Sequence, residues 1–470
     1  MTYFFETYGC QMNTAESAAL VLVCKERGWT AAPDNESADL VLINTCSVRL
    51  TAEKRVLGRI ALYVSLKKKQ QKQGRRFALV VAGCMAQRLG DKLKQKYPAI
   101  DYIMGTLSRS FFPFILEAVE KNRDQGSGIR DRGSGIKQTS IPHSLFPIPQ
   151  LDETPQFAFS PLHLEEGQFR SFVPIMHGCD SFCSYCIVPY VRGREVSRDP
   201  KFVAEEIRLV GERGVREITL LGQNVNAYDW RGGNAGGELN FAGLMRIAAV
   251  ETGKSGVKRL RFLSANPKDF TEEVIGVMAE NPVFCRHLHL CVQHGSNKIL
   301  KKMNRGYTRE HYLYLVEKIR SAMPDISIST DILVGFPGET EEDFEEALTL
   351  MEEVRFLYAY MYHFNPREGT AAYSLPDRVS EEVKRERLSR VIELQKKHTG
   401  ELLKKRIGDR ETVLVEGISR KNADELLTRT ERDERAVVPG PASLIGSFVQ
   451  ITLSGLRGNT FRAKELSRCP

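Results

Sequence analysis

No run of 18 or more apolar residues occurs in the 470-residue chain, so nothing in it reads as a bilayer-spanning helix. The opening MTYFFETYGCQMN lacks a basic segment followed by an apolar one and reads as a strand entering a loop, not a signal peptide. A cytoplasmic protein is the expectation. Cysteine is sparse, with ten residues. In a reducing compartment these serve metals, clusters or catalysis before disulfides, so their positions carry the information. Charge of one sign is not in large excess: the net charge is +8, which favours an anionic partner such as nucleic acid only weakly.

What is present is an alternation of strand and helix signals. Thr2–Thr7, Leu40–Asn44 and Phe77–Ala82 are short β-rich runs, with a helical segment Ala15–Arg27 after the first, for which Asn13 and Thr14 are capping candidates. This predicts a parallel α/β domain over residues 1–120. Residues 121–164, with GSGIRDRGSGIK and a proline-rich stretch, read as a linker. From 165 to 403, six strand candidates are separated by helical segments: Phe172–His177, Glu217–Leu221, Arg259–Leu263, His287–Leu290, Ile326–Val334 and Ala359–His363. Six βα repeats fall short of the eight of a closed barrel, so a partial (β/α)6 barrel, open on one side, is predicted. Residues 404–470 change to short strands and turns, the pattern of a small all-β barrel. Thirteen Lys/Arg stand there against nine Asp/Glu.

The sharpest motif is GCDSFCSYC at 178–186. Cys179, Cys183 and Cys186 follow the first barrel strand, at the rim where barrel enzymes hold their active sites. Three thiolates in one loop suit a cubane 4Fe-4S cluster with one iron free of protein, and that iron is open to the amino and carboxylate groups of S-adenosylmethionine (SAM). The competing use is a zinc site with His177 as fourth ligand. A second trio is dispersed: Cys10 in YGCQMN, Cys46 in NTCSVR and Cys84 in AGCMAQ each follow one N-terminal strand. In a parallel sheet such loops share the carboxyl edge, which predicts a second three-cysteine cluster; three buried apolar cysteines are the alternative. Cys24, Cys285 and Cys291 read as core.

The other barrel strands also end in polar or glycine-rich groups: Gln223 and Asn224, Ser264 and Asn266, Gln293 and His294, GFPGET with Gly335 and Gly338, and Asn365. Gln223, Asn224, Gln293, Gly335, Gly338 and Asn365 are the expected SAM contacts, the glycines allowing close backbone approach. In PYVRGREVSR, residues 189–198, Arg192, Arg194 and Arg198 are candidate phosphate contacts, with Glu195 to orient one of them; a solvated charge run is the plainer use.

Together YGCQMN, NTCSVR, AGCMAQ, GCDSFCSYCIVPYVRGREVSR, DILVGFPGET and the final β-domain resemble the methylthiotransferases among radical SAM enzymes, most closely their MiaB-type tRNA branch. The resemblance covers nearly the whole chain outside the linker. It implies a methylthiotransferase N-terminal domain, a radical SAM core and an RNA-binding TRAM domain. It further implies one 4Fe-4S cluster on Cys179, Cys183 and Cys186 and another on Cys10, Cys46 and Cys84, with two SAM molecules per turnover. The implied substrate is isopentenylated adenosine beside the anticodon of tRNA, at position 37, and the implied partners are the anticodon loop, an electron donor such as flavodoxin or ferredoxin, and a sulfur donor. An unactivated aromatic C–H bond offers no acid–base route, so a carbon radical is the expected means of breaking it. Cys291, His294, Ala265 and Asn266 stand where other residues are usual in that family. Two other readings stay open: a methylthiotransferase acting on threonylcarbamoyladenosine or a ribosomal protein, and a non-catalytic zinc RNA-binding protein.

Overall fold

The computed structural model describes residues 1–47, 50–124, 167–232 and 237–468. The linker expected over 121–164 lies almost wholly outside them, as does Cys469. Two compact units form. One comprises Met1–Leu164 with His177–Asp180 and Cys186–Val196; the other comprises Glu165–Met176, Ser181–Tyr185 and Ser197–Pro470.

In the first unit, strands Thr2–Thr7, Thr30–Ala31, Leu40–Thr45, Ala78–Gly83 and Tyr102–Met104 form a parallel sheet. Counted along the chain, their spatial order is 2-1-3-4-5. Leu40–Thr45 and Ala78–Gly83 are buried at every position, as strands covered on both faces must be. Side chains alternate between two cores. Val41, Ile43, Leu79 and Val81 pack with Val56, Ile60 and Tyr63 of helix Leu50–Lys72. Leu40, Leu42, Val80 and Ala82 pack with Leu20 and Cys24 of helix Gln11–Glu26 and with Phe112, Ile115 and Leu116 of helix Phe112–Asp124. The two short strands went unread because neither is long enough to show a period.

In the second unit, Arg170–Pro174, Glu217–Leu221 and Arg259–Phe262 form one parallel sheet, and His287–His289, Ser327–Val334 and Tyr358–His363 another. Single bridges, Leu260 to Phe284 and Ala265 to Leu290, join them into a six-stranded arc. All six strands fall within a few residues of expectation. Local chemistry starts the covering helices: Asp199 caps Pro200–Glu212 by accepting from the Lys201 N–H, and Thr340 with Asp343 forms a capping box on Glu341–Val354.

Strands Arg410–Ile418, Glu425–Arg429, Arg435–Pro439, Phe448–Arg457 and Thr460–Arg468 close into a barrel, which removes the exposed edges of a small sheet. Its core includes Val413, Val415, Leu426, Val438, Ile451, Leu453 and Phe461, with Leu357 and Leu403 packed against them. Arg259 and Arg261 of the arc donate to carbonyls of Thr412 and Thr430 at 2.6 and 2.9 Å, and Glu217 balances Arg261 at 3.1 Å. Phe461 is fully buried; Phe461→Ala is expected to cost about 3–5 kcal/mol, read as an earlier urea transition of the C-terminal barrel.

Candidate functional site

The strand order of the first unit reverses between Thr2–Thr7 and Leu40–Thr45, and in such sheets the crevice at the carboxyl ends of the strands beside the reversal is the ligand site. Cys10 and Cys46 follow these two strands, and Cys84 follows the next one over. Cys10 is the N-cap of helix Gln11–Glu26 and Cys84 opens helix Cys84–Lys96, so both cysteines sit at the positive ends of helices. Cys10 is exposed; Cys46 and Cys84 are buried. The loops meet closely: a Cβ on Gly9 would stand 2.7 Å from the Cys46 Cβ, and one on Gly83, whose φ is +93°, would strike the Thr45 backbone. Asn13 and Thr14 do not cap the helix, which begins at Gln11. Asn13 instead donates to the Thr45 carbonyl at 2.9 Å and the Tyr8 carbonyl at 3.1 Å, tying the first two cysteine loops together.

The charge balance beside this trio was not legible in the sequence. Arg192 is 2% exposed. It donates to Glu16 at 2.6 Å and to Asn13 Oδ1 at 3.0 Å, and Arg109 lies 3.1 Å from the same Glu16. Burial works against ionisation of Glu16, but Arg109 and Arg192 overcome it and hold the carboxyl below its ordinary range. Burial likewise pushes the Cys84 thiol up to about 12, with Arg192 pulling the other way and Cys46 and Cys10 close enough to add to the rise. Burial and the two arginines keep His177 neutral, its pKa well below the usual value. Ile187 and Val191 pack directly on Cys84.

Arg192 is therefore no phosphate contact: its guanidinium is spent inside the fold on a carboxylate and an amide. Arg198 is also committed, to the Pro174 carbonyl and to Glu206 at 2.8 Å. Arg194 is the exposed member of the three, 3.4 Å from Asp180, and the Glu195 backbone N–H donates to the same carboxylate at 3.3 Å.

In the second cysteine loop, Cys179 and Cys183 are buried and Cys186 is half-buried. Gly178 has φ +79°, and a Cβ there would collide with the Arg194 carbonyl. Phe182 holds φ +43°, an unfavourable backbone for a non-glycine residue. Asn304 pins it by donating to the Ser181 and Phe182 carbonyls at 3.2 and 3.1 Å. Donors are aimed at the sulfurs: Arg305 at Cys183 Sγ, 3.3 Å, and the Val188 N–H at Cys186 Sγ, 3.4 Å. Arg305 also donates to the Cys291 carbonyl at 2.8 Å and lies over the Tyr307 ring at 5.3 Å. Its relation to Cys183, 122 residues away, has no local signal.

Around the arc, Asn224 and Asn266 both reach Ser181 Oγ at 3.4 Å, and Asn224 donates to Asp269 at 2.8 Å. Gln223 is half-buried at the same strand end. Ser264 and Gln293 hold φ of +65° and +69°, so two further strand ends carry backbone strain. The Gln293 backbone bridges Asp331 and Leu333 at 2.9 and 2.8 Å. Asn365 is exposed and donates to the His363 carbonyl at 3.2 Å. A Cβ on Gly335 would strike the Lys384 side chain and one on Gly338 the Nζ end of Lys302, so each glycine leaves room for a lysine of the chain itself. His294 is fully buried, 3.3 Å from Glu339, and braces the loop.

Residues 173–351 match the radical SAM superfamily, 2–105 an uncharacterized protein family, UPF0004, and 404–464 the TRAM domain. These matches define a radical SAM protein with an appended TRAM domain. Curated relatives run its full length. The tRNA-2-methylthio-N(6)-dimethylallyladenosine synthase of Treponema pallidum (strain Nichols) is 47% identical over 467 residues, 98% of each chain. Those named alike from Treponema denticola and Geobacter sulfurreducens are 46% and 42% identical, over 98% and 96% of this chain and 99% and 94% of theirs. The chain belongs to the tRNA-2-methylthio-N6-dimethylallyladenosine synthase family of radical SAM enzymes. Membership implies a 4Fe-4S cluster and SAM. Among the described residues no helix is long and apolar enough to cross a membrane.

Arg192→Met should leave Glu16 buried without its closest partner, a change that typically costs about 3–5 kcal/mol. The expected result is a lowered urea midpoint for the first unit, with the transition of the C-terminal barrel unmoved.

Proposed function

We propose that the chain converts N6-isopentenyladenosine at position 37 of tRNA to its 2-methylthio derivative, using two 4Fe-4S clusters and two SAM molecules per turnover. Cys179, Cys183 and Cys186 would hold one cluster and Cys10, Cys46 and Cys84 the other. The observation that carries the second assignment is the delivery of three far-separated cysteines to the switch-point edge of one sheet, beside a buried arginine. Three thiolates on a cubane leave net negative charge, and a buried guanidinium offsets it.

When bound, the clusters supply an electron for reductive cleavage of SAM to a carbon radical and a sulfur that can be methylated and transferred. The chain's own residues set the conditions. Arg305 donates toward Cys183, Asn224 and Asn266 fix the cysteine loop through Ser181, and Arg192 holds the charge near Cys84 and Cys10. Gln223, Asn224, Gln293 and Asn365, which follow strands of the arc, would contact SAM. The substrate adenosine would leave the anticodon-loop stack to reach this rim. The domain plan follows the family: 1–120 for methylthio transfer, 121–164 as linker, 165–403 as radical SAM core and 404–470 as the RNA-binding barrel. On that barrel Arg420, Lys421, Arg457 and Arg462 are exposed and suited to phosphates, whereas Arg406 and Arg429 are taken up by Glu434, Glu411, Glu416 and Asp433. A flavodoxin or ferredoxin as electron donor, a sulfur donor and a cytoplasmic location complete the reading.

The test is anaerobic turnover with SAM and isopentenylated tRNA, followed by mass analysis of nucleosides; absence of the methylthio product sinks the reading. The reconstituted protein should hold about eight irons. Cys183→Ala should abolish both SAM cleavage and product. Cys46→Ala should retain about four irons and keep cleaving SAM while forming no product. Affinity for tRNA should fall at least ~10-fold between 50 and 200 mM salt, and by less once Arg420 and Lys421 are both changed to Ala.

A further inference from the structure

One polar cluster in the second unit has no part in the assignments above. His289 ends strand His287–His289, Cys291 lies two residues on, and Asp331 sits in the neighbouring strand Ser327–Val334. An imidazole nitrogen, a thiol sulfur and a carboxylate oxygen from these three lie within 4.8 Å of one another, the sole His/Cys/Asp/Glu group so arranged among the described residues. His289 Nε2 stands 3.3 Å from Asp331 Oδ2. A tetrahedral ion with bonds of about 2.0–2.1 Å holds nitrogen and oxygen donors about 3.3 Å apart, so this pair already spans one edge of such a site.

The surroundings orient the donors as metal sites require. Ser329 Oγ lies 3.0 Å from His289 Nδ1 and 2.8 Å from His287 Nε2, which turns the Nε2 face of His289 to Asp331. The Cys291 backbone is clamped on both sides: its N–H donates to the Ala265 carbonyl at 3.1 Å, and its carbonyl accepts from Arg305 at 2.8 Å. Tyr360 meets the His289 ring edge-on at 5.5 Å between centroids. His289 and Cys291 are buried, while the Asp331 side chain is 24% exposed and gives an ion a path in. A Cys–His–Asp nucleophile is the other chemistry this triad suggests. It fits less well, because burial pushes the Cys291 thiol up and Asp331 adds to the rise, against the pull of His289, whereas a reactive cysteine needs an accessible thiolate.

We propose that His289, Cys291 and Asp331 bind one borderline-soft divalent ion, Zn2+ above others, through one nitrogen, one sulfur and one oxygen. The mixed donor set is what zinc accepts and what calcium or magnesium, which take oxygen alone, do not. Three protein ligands leave a fourth position for water or a small ligand. The site is separate in its ligands from both cysteine trios.

The protein to test is the full chain, reconstituted anaerobically with iron and sulfide, incubated with Zn2+ and passed over chelating resin. About one zinc per chain should remain, and zinc K-edge absorption, which iron does not obscure, should report a single sulfur with nitrogen and oxygen. Cys291→Ser should lose the zinc and its sulfur shell with iron content unchanged. If that variant fails to take up iron, Asp331→Asn, at a partly exposed position, replaces it and should lower zinc retention alone. The proposal is overturned if iron-loaded wild type retains no zinc, if the retained zinc carries two or more sulfurs and so occupies a cluster trio, or if both variants keep zinc as wild type does. Iron content and zinc content are counted separately, so failure of the cluster assignment and failure of this site are told apart.

Discussion

A parallel sheet presents the ends of all its strands on one edge, and the N-terminal trio depends on that constraint. Cys46 and Cys84 directly follow their strands and Cys10 stands three residues beyond its own, so pairing the strands in register brings the three loops together, with Gly83 paired to Thr45 and Asn13 bonded to the Thr45 carbonyl. The register is held by side chains facing alternately into two cores. A slip of one residue would exchange those faces and misplace every loop. Asn13 then fixes the spacing of the first two loops by bonding to both.

How much of this was legible follows the range of the interactions. The longer strands of both α/β parts, the closed β-domain and the two cysteine trios announce themselves locally, through apolar runs bounded by turns and through Cys–Gly or Cys–Asn loops at strand ends. Arg192 did not. In VRGREVSR it looks like its neighbours Arg194 and Arg198, and only Glu16, far back in the chain, decides that it lies inside. Arg305 is hidden in the same way, since its meaning depends on Cys183. The neighbours of the GFPGET glycines are hidden for a related reason. A glycine signals close approach, but not whether a ligand or, as here, a lysine side chain makes it.

These two arginines suggest a shared rule for the cysteine sites. Each trio has one buried guanidinium near a sulfur: Arg305 at Cys183, and Arg192 within electrostatic reach of Cys84 and Cys10. Burying such a cation alone costs several kcal/mol. At an effective dielectric constant of about 20, an opposite charge at about 4 Å returns about 4 kcal/mol. Arg192 has Glu16 for that purpose and stays paired whatever the cysteines bind. Arg305 has no carboxylate among its hydrogen-bond partners, which are Asn266, the Cys291 carbonyl, Tyr307 and Cys183. Its guanidinium is thus met directly by neutral dipoles and a sulfur, with no carboxylate bonded to it. An anionic cluster bound beside Cys183 would supply Arg305 with the counter-charge its hydrogen bonds lack, while Arg192 is already paired with Glu16 before any metal arrives. On this argument the barrel site depends electrostatically on its cluster more than the sheet site does, although the sheet site gathers its ligands from farther apart in the chain.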